Sequence, residues 1–155
     1  MNEIIIANKA QVMPIHQNEH QPYEFFRHEI VGVTAGNQCT VNIYDLPPGK
    51  SNFPYHYHTA NEEIFYIISG KGLFKTPEGD KTVTAGDVVV FPPSEKGAHK
   101  LTNISETETL TYLDVDTRHL PEIVFYPDSN KIGAMGGNFR GLFMKDSGVD
   151  YYLGE

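Results

Sequence analysis

The stretch from Gly49 to Gly70 constrains this chain more than any other: Gly-Lys-Ser-Asn-Phe-Pro-Tyr-His-Tyr-His-Thr-Ala-Asn-Glu-Glu-Ile-Phe-Tyr-Ile-Ile-Ser-Gly. It holds His56 and His58 with one residue between them. In extended backbone, residues i and i+2 project to one face, so the two imidazoles lie side by side and Tyr55 and Tyr57 take the opposite face. Thr59-Ala60-Asn61 offers a tight connection. The run from Glu63 to Ile68 is rich in β-branched and aromatic residues and reads as a second strand. Glu63 opens that strand, so two imidazoles and a carboxylate stand at the facing ends of paired strands. Two nearby histidines alone would be a polar strand edge. With the carboxylate they form an N/N/O set suited to a divalent transition metal.

A fourth ligand is expected from His99, in Ala98-His99-Lys100-Leu101-Thr102-Asn103, where His99, Leu101 and Asn103 share one strand face. Gly49, His56, His58, Glu63 and Gly70 resemble the first motif of the cupin superfamily: a glycine, HxH, a glutamate after four residues and a glycine after six. Gly86, Pro92, His99 and Asn103 resemble the second motif. The sequence departs from the pattern at three points. Six residues, not five, separate Gly49 from His56, the usual Pro-x-Gly is Pro92-Pro93-Ser94, and His99 falls two residues late. These changes bear on the loop leading to His99 more than on the ligands. The tract from Phe91 to Asn103, with Phe125-Tyr126-Pro127-Asp128 beyond it, is similar to an uncharacterised group of small single-domain bacterial cupins. The resemblance implies an all-β fold, a double-stranded β-helix or jelly-roll barrel, with the metal site inside.

Composition supports short strands. The chain has 155 residues, enough for one domain with a sizeable core. Its 14 glycines and 10 prolines punctuate it too often for long helices. A formal charge of −8 disfavours nucleic acid and anionic membrane as partners. The N-terminus has three consecutive isoleucines, Ile4 to Ile6, but no positively charged leader, and no segment is long and apolar enough to span a membrane. A cytoplasmic location is expected. The single cysteine, Cys39, leaves no internal disulfide.

Taken in order, Glu3 to Ala7 reads as a short strand, and Ala10 to Arg27 as a segment wrapping the outside. His16, His20 and His28 have no partner at metal spacing and are expected in solvent. Glu29 to Thr34 reads as a strand, Gly36-Asn37 as a turn. Gln38 to Leu46 alternates, with Cys39, Val41 and Ile43 on one face and Gln38, Thr40, Asn42 and Tyr44 on the other. On that pattern Cys39 is a small core hydrophobe, not a nucleophile. Short strands follow at 73–76, 81–84, 88–91 and 107–115. The glycine-rich stretch 133–141 lacks the Gly-Lys-Ser/Thr ending and following helix of a phosphate loop, so it reads as a flexible connection. The aromatic tail 141–155 is expected to pack on its own domain or on a neighbouring subunit. The domain reading is therefore one unit, 1–155: a barrel core over about 29–116, an N-terminal arm 1–28 and a C-terminal extension 117–155 outside the barrel or on a partner.

The functional expectation is one divalent ion (Fe, Mn, Ni, Co, Zn or Cu) on His56, His58, Glu63 and His99. Four protein ligands on an octahedral ion leave two positions for a small-molecule substrate. The resemblance implies a mononuclear metalloenzyme acting on a small organic molecule, of dioxygenase, decarboxylase or isomerase type. Other readings are a non-catalytic small-ligand binder, and a metal-independent isomerase or epimerase using Tyr44, Tyr66 or Tyr112 if any of them turns inward. Zinc held for stability alone is a further one. No catalytic residue is assigned. A homodimer is expected, because small cupins commonly pair and because the isoleucine run and aromatic tail supply apolar surface.

Overall fold

The computed structural model describes residues 3–33 and 36–155. The expected short strands form: β1 (Ile15–His20), β2 (Tyr23–Val31), β3 (Cys39–Leu46), β4 (Tyr57–His58), β5 (Glu63–Ser69), β6 (Lys71–Lys75), β7 (Lys81–Thr84), β8 (Val88–Phe91), β9 (Lys100–Asn103), β10 (Leu110–Thr117), β11 (Glu122–Tyr126), β12 (Lys131–Gly136) and β13 (Phe139–Met144). All named pairs are antiparallel. A six-stranded sheet runs β1-β2-β3-β10-β5-β8, and a three-stranded sheet runs β7-β6-β9. Side chains from both meet in one core, with Phe65, Ile67, Leu101 and Leu110 fully buried. Each such side chain contributes about 1.5–3 kcal/mol on burial. The fold is the all-β barrel that the sequence predicts.

The registers of β3, β10 and β5 set the character of the interior. Tyr112 stands between Tyr44 and Ile67, Asp114 between Asn42 and Phe65, and Asp116 between Thr40 and Glu63. The inner face thus passes from apolar at one end of these strands to polar at the other, and that polar end is where the candidate ligands gather.

This gradient corrects the reading of β3. Its buried residues are Thr40, Asn42, Tyr44 and Leu46, while Cys39, Val41 and Ile43 are only half-buried. The alternation is as expected, but the inward face is the polar one, and Cys39 is not a core residue. Two other departures have the same origin in sheet pairing. Residues 15–31 do not wrap the outside, because β1 and β2 extend the large sheet. His28 is buried rather than solvated: Nδ1 donates to the Val12 carbonyl at 2.9 Å and Nε2 lies 3.2 Å from Asp45 Oδ2. Residues 3–7 form no strand, and Thr34, the expected end of its strand, lies outside the described residues.

The C-terminal region differs most. The glycine-rich stretch is a regular hairpin, β12 with β13, paired from Lys131↔Met144 to Gly136↔Phe139. With β11 it forms a meander that adds to β4, giving the sheet β13-β12-β11-β4. This part of the extension therefore belongs to the ligand region rather than lying apart from it. Beyond it, Tyr151, Tyr152 and Leu153 are exposed and do not pack on the barrel. Among the described residues no helix is long and apolar enough to cross a membrane.

Candidate metal centre

His56 and His99 face each other through a reciprocal backbone pair, His56 N–H to His99 O at 3.1 Å and His99 N–H to His56 O at 2.9 Å. That bridge brings the two sequence motifs together. Each ring is then fixed by its own loop. His56 Nδ1 lies 2.8 Å from the Pro54 carbonyl, and His99 Nδ1 lies 2.9 Å from the Gly97 carbonyl. A carbonyl only accepts, so both Nδ1 atoms carry the proton and both Nε2 lone pairs are left open.

The loop before His99 is held by Gly97. A Cβ there would run into the Pro92 carbonyl oxygen. The two-residue displacement of His99 is thus absorbed in a tight turn over Glu95–Gly97, and His99 still reaches the bridge to His56.

The open nitrogens converge on one oxygen. Glu63 Oε2 lies 3.8 Å from His56 Nε2, 3.8 Å from His58 Nε2 and 3.1 Å from His99 Nε2. His56, His58 and Glu63 have ligand atoms within 4.8 Å of one another and could hold an ion, while His99 approaches that group through Glu63. His56, Glu63 and His99 are buried and His58 half-buried. Glu63 Oε2 and His99 Nε2 are buried without a hydrogen-bond partner. Leaving such atoms unpaired costs about 1–3 kcal/mol each, a cost that a cation between them would relieve.

The electrostatics suit the same occupant. Burial pushes the His56 pKa down to about 4, helped by neighbouring His99 and His58 and opposed by Glu63, so its imidazole is neutral at pH 7. Burial alone would raise the Glu63 pKa, but His99, then His56 and His58, outweigh it and hold the carboxyl below its ordinary range. A neutral His56 beside an ionised Glu63 is the pairing of protonation states that metal binding requires. Phe91 stacks on His99 at 3.6 Å and Phe65 meets it edge-on, giving the ligands an apolar wall.

Two residues of the C-terminal meander complete the surroundings, and the sequence reading missed both. β11 pairs with β4 through Val124↔His58 and Phe125↔Tyr57. This places the Tyr126 ring over His56. It also buries Glu122 under the 59–61 turn. Glu122 Oε1 accepts from Thr59 N (2.8 Å), Thr59 Oγ1 (3.3 Å) and Ala60 N (3.3 Å), and Oε2 accepts from Asn61 Nδ2. The available signal was Glu122-Ile-Val-Phe-Tyr126, a carboxylate heading an apolar run just as Glu63 heads Ile-Phe-Tyr.

A second carboxylate group, Asp114 and Asp116 with Glu63, continues the polar wall. Thr40 Oγ1 donates to Asp116 Oδ2 at 3.0 Å. Burial, reinforced by Glu63, pushes the Asp116 pKa up to about 7. Of the tyrosines considered as acid or base groups, Tyr66 faces outward, whereas Tyr44 and Tyr112 are buried in the core. Asn52 Nδ2 donates to the Tyr112 hydroxyl, and burial pushes that phenol well above its usual range. A cavity of about 330 Å³ opens beside His58, and its lining includes the half-buried His58, Asp116 and Arg118 and the exposed His119, Gly137 and Arg140.

Comparison with known proteins agrees with this geometry. The family described as Cupin domain matches residues 42–116, which span β3 to β10. This match to just under half of the chain, together with the fold, is consistent with the cupin superfamily. Its fold is similar to that of a candidate sugar phosphate isomerase from Acidithiobacillus ferrooxidans, at TM-score 0.79 and 23% identity, covering 91% of this chain and 90% of that one. A sugar phosphate isomerase from Silicibacter pomeroyi superposes with TM-score 0.78 at 20% identity, over 90% of this chain and 92% of that one. Among curated sequences, the oxalate-binding protein of Thermotoga maritima is 36% identical over 63 residues, 41% of this chain. The matched stretch spans about half the length of the curated relatives, 46% and 50%.

Proposed function

We propose that the protein is a mononuclear metal-dependent cupin enzyme of isomerase type, acting on a small, oxygen-rich organic molecule. Its ligand set is His56, His58, Glu63 and His99. The observation that carries this reading is the convergence of Nε2 atoms on Glu63 Oε2, with two buried polar atoms otherwise unpaired. The bound ion would supply Lewis acidity to a carbonyl or hydroxyl oxygen of the substrate.

The chain's own groups supply the rest. Phe91 and Phe65 exclude water behind the ligands. Asp116 lines the cavity with His58 and is placed to take a proton from a carbon next to a carbonyl and return it to the neighbouring carbon, a redistribution that needs no external oxidant. The isomerase type is supported by the two sugar phosphate isomerases, whose likeness extends over the C-terminal meander as well as the barrel.

Elemental analysis of the purified protein tests the metal reading. About one divalent ion per chain is expected, falling to near zero in His58→Ala. Full occupancy in that variant would overturn the ligand assignment. Exchange of substrate protons with deuterated water, present in the parent and absent in Asp116→Asn with metal retained, tests the isomerase step. A second reading, a binder without chemistry, is favoured by the oxalate-binding relative. It predicts ligand affinity with no exchange in either protein.

The proposal includes a single cytoplasmic domain and a homodimer. Tyr66 and Ile68 of β5 with Val88 and Val90 of the edge strand β8 form an exposed apolar strip on the outer face of the large sheet, and a second copy of the chain is its proposed cover. Sedimentation at micromolar concentration should show twice the 17.4 kDa chain mass, reverting to one chain in Val90→Lys.

A further inference from the structure

The cavity beside His58 is divided by charge. Its carboxylates lie deep: Glu122 is saturated by donors from the 59–61 turn, and Asp116 receives the Thr40 hydroxyl. Of its cations, Arg140 is exposed at the rim and Arg118 is half-buried. The chain contains three arginines in all, Arg27, Arg118 and Arg140, and two of them line this one cavity. In a protein of net charge −8, that concentration is not expected of a solvated surface.

Arg140 lies on β13 opposite Met135, is exposed, and makes no hydrogen bond or ion pair with the described residues. Arg140 and Tyr126, whose ring lies over His56, line one adjoining pocket. Arg118, half-buried in the same lining, is anchored with Nη1 donating to the Asn37 carbonyl at 3.4 Å and its backbone N–H to the Gln38 carbonyl at 2.9 Å. Gly137, at the β12–β13 turn, leaves open space at the rim where a Cβ would stand.

From this arrangement we infer that the rim is an anion subsite, built on Arg140 and Arg118, that selects a small polyhydroxylated molecule carrying a terminal phosphate. Guanidinium groups suit it because they offer forked donors to tetrahedral or planar oxyanions. At about 330 Å³ the cavity has room for one such molecule, with its phosphate at the arginines and its oxygenated end toward His58. This inference rests on the proposed function for the chemistry at the inner end only. The rim itself comes from residues that hold no metal.

The test is calorimetric titration at low salt, where screening is weak. Glucose 6-phosphate, glucose and inorganic phosphate are titrated into the metal-loaded and the chelator-treated protein, in the parent, Arg140→Gln and Arg140→Lys. Glucose 6-phosphate should bind at least about tenfold tighter than glucose, and inorganic phosphate should compete with it. Arg140→Gln should lose about tenfold or more of that affinity, the loss expected for one charge-assisted contact, with metal content and melting temperature unchanged. Arg140→Lys should recover part of it. Equal binding of glucose and glucose 6-phosphate, or parental affinity in Arg140→Gln, would overturn the inference. The two readings separate cleanly: Arg140-dependent phosphate binding in a protein that never loads metal would defeat the metal assignment and leave the subsite standing. Metal loading with phosphate binding indifferent to Arg140 would do the reverse.

Discussion

The Tyr126 ring lies over the His56 ring, with centroids 5.9 Å apart and planes 25° from parallel. A residue of the C-terminal meander thus holds down the first histidine of the first motif. Aromatic pairs of this kind contribute about 0.5–1.5 kcal/mol beyond burial. Tyr126→Phe should therefore keep the parental metal affinity, and Tyr126→Ala should weaken it by up to about tenfold in a chelator competition. Equal affinity in Tyr126→Ala would mean that the ring does not orient His56.

Glu122 offers a sharper test of the same meander. All four groups facing its carboxylate are donors, so a carboxamide would turn an N–H₂ toward one of them. Glu122→Gln is expected to cost about 2 kcal/mol in urea unfolding and to lower metal affinity through His58, whose Nδ1 lies 3.9 Å from Glu122 Oε1. A variant as stable as the parent would show that the turn does not depend on this charge.

The pH dependence of the metal-free protein should show two opposed contributions. His56 has a folded pKa of about 4 against about 6.5 unfolded. Its contribution to stability is complete above pH 6.5 and is lost as pH falls from there to 4, by about 3 kcal/mol. Compared with the parent, His56→Gln should lose less stability between pH 7 and pH 4.5, as read from melting temperatures of chelator-treated protein. The same loss in both proteins would contradict the depressed histidine.

Asp116 acts in the other direction. With a folded pKa of about 7 against an ordinary 3.8, it contributes stability below pH 3.8 that is lost as pH rises through 7. Asp116→Asn should therefore gain on the parent at pH 8 relative to pH 4, by about 4 kcal/mol in the metal-free state. A difference independent of pH would place the Asp116 carboxyl in contact with bulk water.

What was legible in the sequence follows from distance along the chain. His56, His58 and Glu63 lie within eight residues, so strand periodicity and one turn bring them together without knowledge of the rest. His99 could be named as the candidate fourth ligand, but local pattern could not place it, since only the barrel supplies its bridge to His56. Glu122, Tyr126 and Asp116 depend on which strand pairs with which, and in what register, which local pattern does not encode. Thr40 and Asn42 were placed on the wrong side for another reason. Apolar-inside is the right default for a sheet face, and it inverts at the end of this barrel that carries the polar site.

The pairing of β11 with the two-residue strand β4 has a consequence for how the protein is made. During synthesis, residues 42–116 emerge before residues 122–144, so all four proposed ligands are translated before the strand that frames His58. A nascent barrel would present its ligand strand with an unpaired edge, open to water and to passing ions. Emergence of the meander then acts as the closing step of assembly, and uptake of metal into a firm site would report that residues 122–126 have left the ribosome.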